Sequence, residues 1–141
     1  MFEKFIKAFN EYTTQEKRIP APYIRKGFTL KFKPEKATLR ICTPGFYGFY
    51  INGTNITKGF LAPYIANPDQ LVCYDEYDIS SRLVNGKNAI GIILGNGFAN
   101  QSVDHWSFSE AQFRAPLCVS VELFASDERE SFKLKSDESF K

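Results

Sequence analysis

Apolar and polar residues alternate with a period of two over much of this 141-residue chain. The alternation is clear over residues 28–32, over residues 37–41 and again over residues 117–124. Successive side chains of a β-strand point to opposite faces of the sheet, so this pattern is typical of strands with one buried face. Each of the three segments is therefore predicted to be a strand whose apolar side chains face a core.

Two further segments predict a hairpin and a central strand. An aromatic run over residues 46–51 is followed by Asn52-Gly53, the dipeptide that most readily adopts the φ > 0 pair of a type I′ turn. Residues 89–94 are apolar at every position except Gly91, which is expected of a strand buried on both faces.

Residues 59–70 and 98–115 show no clear period and contain several turn-forming residues, so they are expected to be long loops lying across an end of the fold. Loops on a rigid sheet are also where binding residues usually gather. About seven or eight strands with long crossings and almost no helix predict an all-β fold, a β-sandwich of the jelly-roll type.

The first 20 residues break this pattern. Phe2, Phe5, Ile6 and Phe9 recur at the spacing of one helix face, which predicts a short N-terminal helix. Pro20 and Pro22 then stop any regular element. Residues 1–20 are therefore expected to be a helix and lead-in, and residues 21–141 a single β-sandwich domain.

Composition narrows the class of protein. A chain of this length can bury a core without staples. The net charge of +2 gives no electrostatic reason to expect nucleic acid or a membrane as a partner. Aromatic residues make up 16% of the chain, and such flat side chains suit both sheet faces and stacking on sugar rings.

Three cysteines, Cys42, Cys73 and Cys118, lie at wide spacings among apolar or strand-like neighbours. An odd number cannot pair completely within one chain, so they are expected to be reduced and mostly buried. The N-terminus lacks the apolar core and cleavage site of a signal peptide. A cytoplasmic location is expected, provided that Met1 is the natural start.

No catalytic residue stands out. His105 is the only histidine, and no nucleophile is placed beside it by sequence alone. Asp75, Glu76 and Asp78 offer carboxylates, yet they fall within one strand and its cap, where solvation and capping explain them. No metal site is predicted from spacing. Calcium remains an open alternative.

Oxygen-bearing side chains in loops could supply that calcium site, because calcium prefers six to eight oxygen ligands. The residues in question are Asn52, Asn67 and Asp69.

A sugar-binding alternative rests on the two loops. Trp106 is the only tryptophan and stands near Asp104, a combination that suits a pyranose ring, although an indole that plugs the end of the sandwich is the favoured interpretation. Tyr64 and Asp69 would contribute from the other loop. These four residues form the candidate sugar site.

The order of several short motifs carries a family resemblance. Ala21-Pro22-Tyr23-Ile24-Arg25-Lys26-Gly27-Phe28, Gly45-Phe46-Tyr47-Gly48-Phe49-Tyr50-Ile51-Asn52-Gly53, Leu94-Gly95-Asn96-Gly97 and Ser136-Asp137-Glu138-Ser139-Phe140-Lys141 follow one another as in the N-terminal accessory domain of bacterial α-L-rhamnosidases. The chain resembles that family over about residues 21–141.

The resemblance implies a β-sandwich without chemistry of its own, supporting a catalytic domain that lies later in the parent protein. The chain is then an excerpt, and its partner is that catalytic domain. Docking on it is expected to leave exposed apolar side chains in the helix or in the two loops. In some relatives a module of this kind binds rhamnose with calcium, which keeps rhamnose-containing glycans as an alternative partner. Here Pro63–Asp69 and Gly97-Phe98-Ala99 depart from the aromatic-rich pattern of the family.

Overall fold

The computed structural model describes residue 2 and residues 4–66, 70–100 and 114–141. These residues form nine β-strands and no α-helix. In chain order the strands are β1 Ile6–Lys7, β2 Tyr23–Leu30, β3 Lys36–Cys42, β4 Phe46–Ile51, β5 Thr54–Asn55, β6 Tyr74–Asp78, β7 Gly86–Gly95, β8 Cys118–Ser126 and β9 Ser131–Lys135. A single short 3₁₀ helix spans Ser80–Arg82 among the described residues. No helix in this part of the chain is long and apolar enough to cross a membrane.

The strands form two antiparallel sheets that pack face to face as a β-sandwich. The five-stranded sheet has the order β1-β8-β3-β6, with β9 also paired to β8. The four-stranded sheet has the order β2-β7-β4-β5. The expected all-β sandwich is therefore confirmed.

The core lies between the inner faces of the two sheets. Leu39 and Val121 contribute from the five-stranded sheet, and Phe49, Ile90 and Ile92 contribute from the four-stranded sheet. All five side chains are almost fully buried. The alternation over residues 37–41 and 117–124 thus marks core-facing strands, as predicted.

The predicted hairpin turn is confirmed at Asn52-Gly53. Asn52 has φ 48° and Gly53 has φ 82°, so both residues adopt the left-handed region that a type I′ turn requires. The turn joins β4 to the short strand β5, and Ile51 lies opposite Thr54.

The predicted N-terminal helix is wrong for the residues that the structure describes. Ile6 and Lys7 instead form β1, opposite Val119 and Cys118 of β8. Pairing with an existing strand satisfies the backbone of this segment and packs Ile6 against the core, while Phe5 stays exposed. Tertiary pairing therefore outweighs the helical spacing of the apolar residues.

The expectation that residues 89–94 are buried on both faces is also wrong. Ile90, Ile92 and Leu94 face the core and are buried, whereas Ala89 is exposed and Ile93 is only partly buried. The outer face of β7 lies open because no described element covers that side of the four-stranded sheet.

Candidate functional site

One end of the sandwich is crossed by an anchored loop. The backbone N–H of Tyr47 donates to the carbonyl of Ala62 at 2.9 Å, and Ala62 and Pro63 are buried. This contact fixes the middle of the segment 59–66 against β4. We call the segments 59–66, 70–73 and 96–98 the loop end.

Apolar side chains of the loop end point to solvent. Tyr64 is 84% exposed, Leu61 is 64% exposed and Phe60 is fully exposed. Ile65, Leu71 and Phe98 are exposed as well. The expectation of exposed apolar residues in the two loops is confirmed for their described parts, and such a concentration is typical of an interaction surface.

A small cavity lies beneath these side chains. Its volume is about 30 Å³, and it is lined by residues 43–46, 63–66, 71–73 and 97–98. That space holds about two water molecules, which is too little for a sugar ring. Any ligand of the loop end would therefore bind on its surface and not in this cavity.

A buried hydrogen-bond network joins the two sheets beside the loop end. The hydroxyl of Tyr47 on β4 donates to Asp75 on β6 and lies 2.7 Å from the hydroxyl of Tyr77. The backbone N–H of Lys58 donates to the Tyr77 hydroxyl at 3.0 Å. Burial, reinforced by these hydrogen bonds, raises the pKa of Tyr47, so the phenol stays protonated and its role is structural.

The three carboxylates singled out from the sequence are all engaged in structure. Asp75 accepts from Tyr47, and Glu76 forms an ion pair with Arg40 at 2.6 Å. Asp78 accepts hydrogen bonds from the backbone N–H and the hydroxyl of Ser80, which lower its pKa. A general acid needs a raised pKa, and Asp78 shows the opposite.

The cysteines are free thiols, as expected. Cys42 is buried, and Cys73 and Cys118 are half-buried. Burial raises the pKa of the Cys42 thiol to about 11 and also raises the pKa of Cys118. Both are therefore protonated and unreactive near neutral pH.

Of the predicted sugar-binding residues, Tyr64 is described and exposed, whereas Asp69, Asp104 and Trp106 lie outside the described residues. Asn67 and His105 lie outside them too.

Asn52, the remaining residue of the calcium hypothesis, is committed to the fold. Its side-chain amide donates to the carbonyl of Arg82 at 2.9 Å and to Asn88 at 3.0 Å, and its carbonyl accepts from Ala89 at 2.8 Å. Asn52 is therefore removed from the calcium hypothesis. Among the residues that the structure describes, no cluster of three or more metal-ligating side chains is found.

The sequence interpretation missed a second surface, which we call the outer trough. It lies on the outer face of the four-stranded sheet and has a volume of about 700 Å³. Tyr23, Arg25 and Tyr50 flank a floor formed by Gly91 and Ile93. The glycine in an otherwise apolar strand was the available signal, because it opens space between neighbouring side chains.

Comparison with known proteins gives a consistent family. The sequence profile of the α-L-rhamnosidase N-terminal domain matches residues 32–141. An α-L-rhamnosidase from Formosa agariphila is 37% identical in an alignment 102 residues long, which covers 67% of this chain and 11% of that protein.

Solved structures agree with the fold. The α-L-rhamnosidase from Dictyoglumus thermophilum superposes with a TM-score of 0.78 at 29% identity, covering 97% of this chain and 16% of that one. The α-L-rhamnosidase from Aspergillus terreus also gives 0.78, at 21% identity, covering 96% and 16%. A lectin from Pleurotus ostreatus shares the fold more distantly, with a TM-score of 0.54 at 16% identity, covering 97% and 38%. The chain thus spans only a small part of the length of these relatives.

Proposed function

The chain belongs to the family of α-L-rhamnosidase N-terminal domains, and we propose that it is the non-catalytic β-sandwich module of a longer α-L-rhamnosidase, where it packs against the catalytic domain and supports it. The observation that carries the docking role is the loop end. The side chains of Phe60, Leu61 and Tyr64 are largely exposed to solvent in the described part of the chain.

Burial of the exposed apolar side chains of the loop end would stabilise a complex. Leaving Leu61 and Tyr64 in water forgoes roughly 1.5–3 kcal/mol for each large apolar side chain that a partner would bury. Anchors of this kind carry most of the affinity of a protein interface. The buried Ala62–Pro63 pair holds them in place before docking, which limits the loss of conformational entropy on binding.

Titration calorimetry between this chain and the separately produced remainder of the parent enzyme tests the proposal. We expect binding, and the double variant Leu61→Ser, Tyr64→Ser should weaken it at least about tenfold, because two anchors are lost. Phe124→Ser removes an exposed aromatic ring from the five-stranded sheet and is the matched control, which should bind unchanged. Absence of binding, or equal weakening by both variants, would contradict docking through the loop end.

A second candidate is recognition of L-rhamnose or a related sugar at the same end. The strongly exposed ring of Tyr64 favours it, since an exposed tyrosine can stack on a sugar ring. Asp69, Asp104 and Trp106 remain the proposed companions of Tyr64. Titration with L-rhamnose, with and without calcium, separates this candidate from the docking role: heat that Tyr64→Ser abolishes supports sugar binding, and no heat opposes it.

We also infer that the sandwich is a jelly roll. The pairs β1–β8, β2–β7, β3–β6 and β4–β5 support this topology, because they are the pairs of one long hairpin of eight strands that has rolled up into two sheets.

We further propose a reducing, cytoplasmic location for the protein, and the three free thiols support it.

A further inference from the structure

The last residue of the chain already pairs with a sheet edge. The backbone N–H of Arg25 donates to the carbonyl of Lys141 at 2.6 Å, and the N–H of Lys141 donates to the carbonyl of Arg25 at 2.9 Å. Two residues that exchange both backbone hydrogen bonds form one rung of an antiparallel ladder. Lys141 is therefore the first rung of pairing along the outer edge of β2.

The next rung of that ladder is open. The carbonyl of Pro22 accepts a hydrogen bond from the backbone N–H of Leu94 on β7. The backbone N–H and C=O groups of even-numbered residues in β2 therefore point to β7, and those of odd-numbered residues point to the free edge. Tyr23 is the next odd-numbered residue in the direction in which a strand leaving Lys141 would run. Within the described residues, its backbone N–H and carbonyl make no hydrogen bond.

Two cavities flank this open rung. The outer trough lies on one side, and a cavity of about 360 Å³ lies on the other, between β2 and the N-terminal segment. Tyr23, Ile24 and Lys141 line both cavities. Side chains of an added strand would point alternately to the two sides, which is how an edge strand accommodates a partner.

The register assigns a side to each added residue. Phe140 is buried and lines only the smaller of the two cavities, whereas Lys141 pairs with Arg25 and reaches the outer trough as well. The first residue beyond Lys141 would point inward beside Ile6 and Ile24, so an apolar side chain fits there. The second would lie opposite Tyr23 and over the trough.

We propose that the polypeptide following Lys141 in the parent protein adds to β2 as a further strand of the four-stranded sheet, opposite Tyr23, with its first side chain apolar and filling the smaller cavity. This inference rests on the proposed function, in which the module precedes the rest of a longer enzyme. The exposed ring of Tyr23 is the independent observation that supports it, because the side chain of the added residue opposite Tyr23 would pack against that ring.

Amide hydrogen exchange measured by NMR tests the proposal. In the full-length parent the amide of Tyr23 should exchange at least about tenfold more slowly than in the 141-residue chain, because it gains a backbone hydrogen bond. Gly27 and Thr29 also face the edge but lie on the other side of Arg25, so their exchange should not change. Equal exchange of Tyr23 in both proteins, or protection of Gly27 and Thr29 instead, would overturn the proposed register.

A designed extension gives a second, independent measurement on this chain. Adding Val-Thr-Val-Thr after Lys141 places valine on the inner side and should slow the exchange of Tyr23, whereas Gly-Ser-Gly-Ser of equal length should not. If neither extension protects Tyr23, the edge does not accept a strand. If the unextended chain instead dimerises and protects Tyr23 as its concentration rises, a second copy is the occupant and the proposal is wrong.

These outcomes are separable from those of the docking experiment. Docking is read from the loop-end variants, and strand addition is read from Tyr23. A parent that docks with Tyr23 unprotected keeps the proposed function and loses the added strand. An extended chain that protects Tyr23 while the loop end fails to dock keeps the added strand and loses the docking role.

Discussion

One hydroxyl group, that of Tyr47, connects the two sheets of the sandwich next to the loop end. It lies on β4 and meets Asp75 and Tyr77 on β6, so it spans the space between the sheets where an apolar contact could not satisfy the buried polar atoms. Buried polar groups that lose a partner carry the full cost of desolvation. The loss of this one hydroxyl is therefore expected to lower the free energy of unfolding measurably.

Removal of that hydroxyl gives the first prediction. Tyr47→Phe should lower the free energy of unfolding by about 1–3 kcal/mol, since it leaves Asp75 and Tyr77 without this partner. Tyr50→Phe, on the same strand but on the outer face, should change stability by less than about 0.5 kcal/mol. Urea denaturation followed by fluorescence measures both, and equal stabilities of the two variants would contradict the role given to Tyr47.

The hairpin turn at Asn52-Gly53 gives the second prediction. Gly53 has φ 82° with open space around it, so backbone strain alone should make Gly53→Val cost about 1–2 kcal/mol. Thr54→Val places the same side chain at the next position, in a strand, and should be close to neutral. Thermal melting compares the two variants. A Gly53→Val protein that melts at the same temperature as the unaltered 141-residue chain would show that the turn is not strained.

The buried thiol of Cys42 gives a prediction about alkaline pH. Burial is the main cause that raises its pKa from an ordinary 9.0 to about 11, and nearby Cys118 and Cys73 add to it. The folded state thus holds the proton more tightly than the unfolded state does, so the stability it contributes is complete below pH 9 and is lost as the pH rises through 11.

The measurement is the difference in unfolding free energy between the unaltered chain and Cys42→Ala. That difference should shrink as the pH rises from 9 to 11, and a difference independent of pH would mean that the thiol titrates normally.

At the scale of elements, local signals predicted what depends on local geometry. The alternation over residues 37–41 and the Asn52-Gly53 turn need only the neighbouring residues, and both are confirmed. The N-terminal helix failed because β8 offered Ile6 and Lys7 backbone partners that no spacing rule contains. The boundary between residues 1–20 and the sandwich remains a prediction.

Burial depends on which elements come to lie over a strand. The apolar run of residues 89–94 correctly indicated a central strand, yet its outer face is open here. Only Tyr64 of the candidate sugar site could be placed, and exposure of a loop side chain is set by the fold as a whole and not by its own sequence.

The close backbone contact between Gly45, just before β4, and Gly95, at the end of β7, gives a prediction about elements. A Cβ added to Gly45 would lie 2.4 Å from the carbonyl oxygen of Gly95, so Gly45→Ala should destabilise the domain by about 1–3 kcal/mol. A Cβ added to Gly27 would lie 4.0 Å from the carbonyl oxygen of Asn88, so Gly27→Ala should be neutral or slightly stabilising. The unfolding midpoints of the two variants are compared. Equal midpoints would show that the backbone around Gly45 can move to accommodate the added Cβ.

At the scale of the whole molecule, the polarity of the surface differs from one side to another. The outer face of the five-stranded sheet carries charged side chains, including the Arg40–Glu76 ion pair. The loop end and the outer trough are apolar. This asymmetry is expected of a module that is covered on two sides by the rest of a larger protein.

We expect this module to carry no chemistry of its own. The most direct test measures hydrolysis of an aryl α-L-rhamnoside by the purified 141-residue chain and by the full-length parent at equal concentration. We expect turnover by the parent and a rate indistinguishable from buffer for the chain. Turnover by the chain itself, abolished by changing one of its carboxylates to the amide, would contradict it.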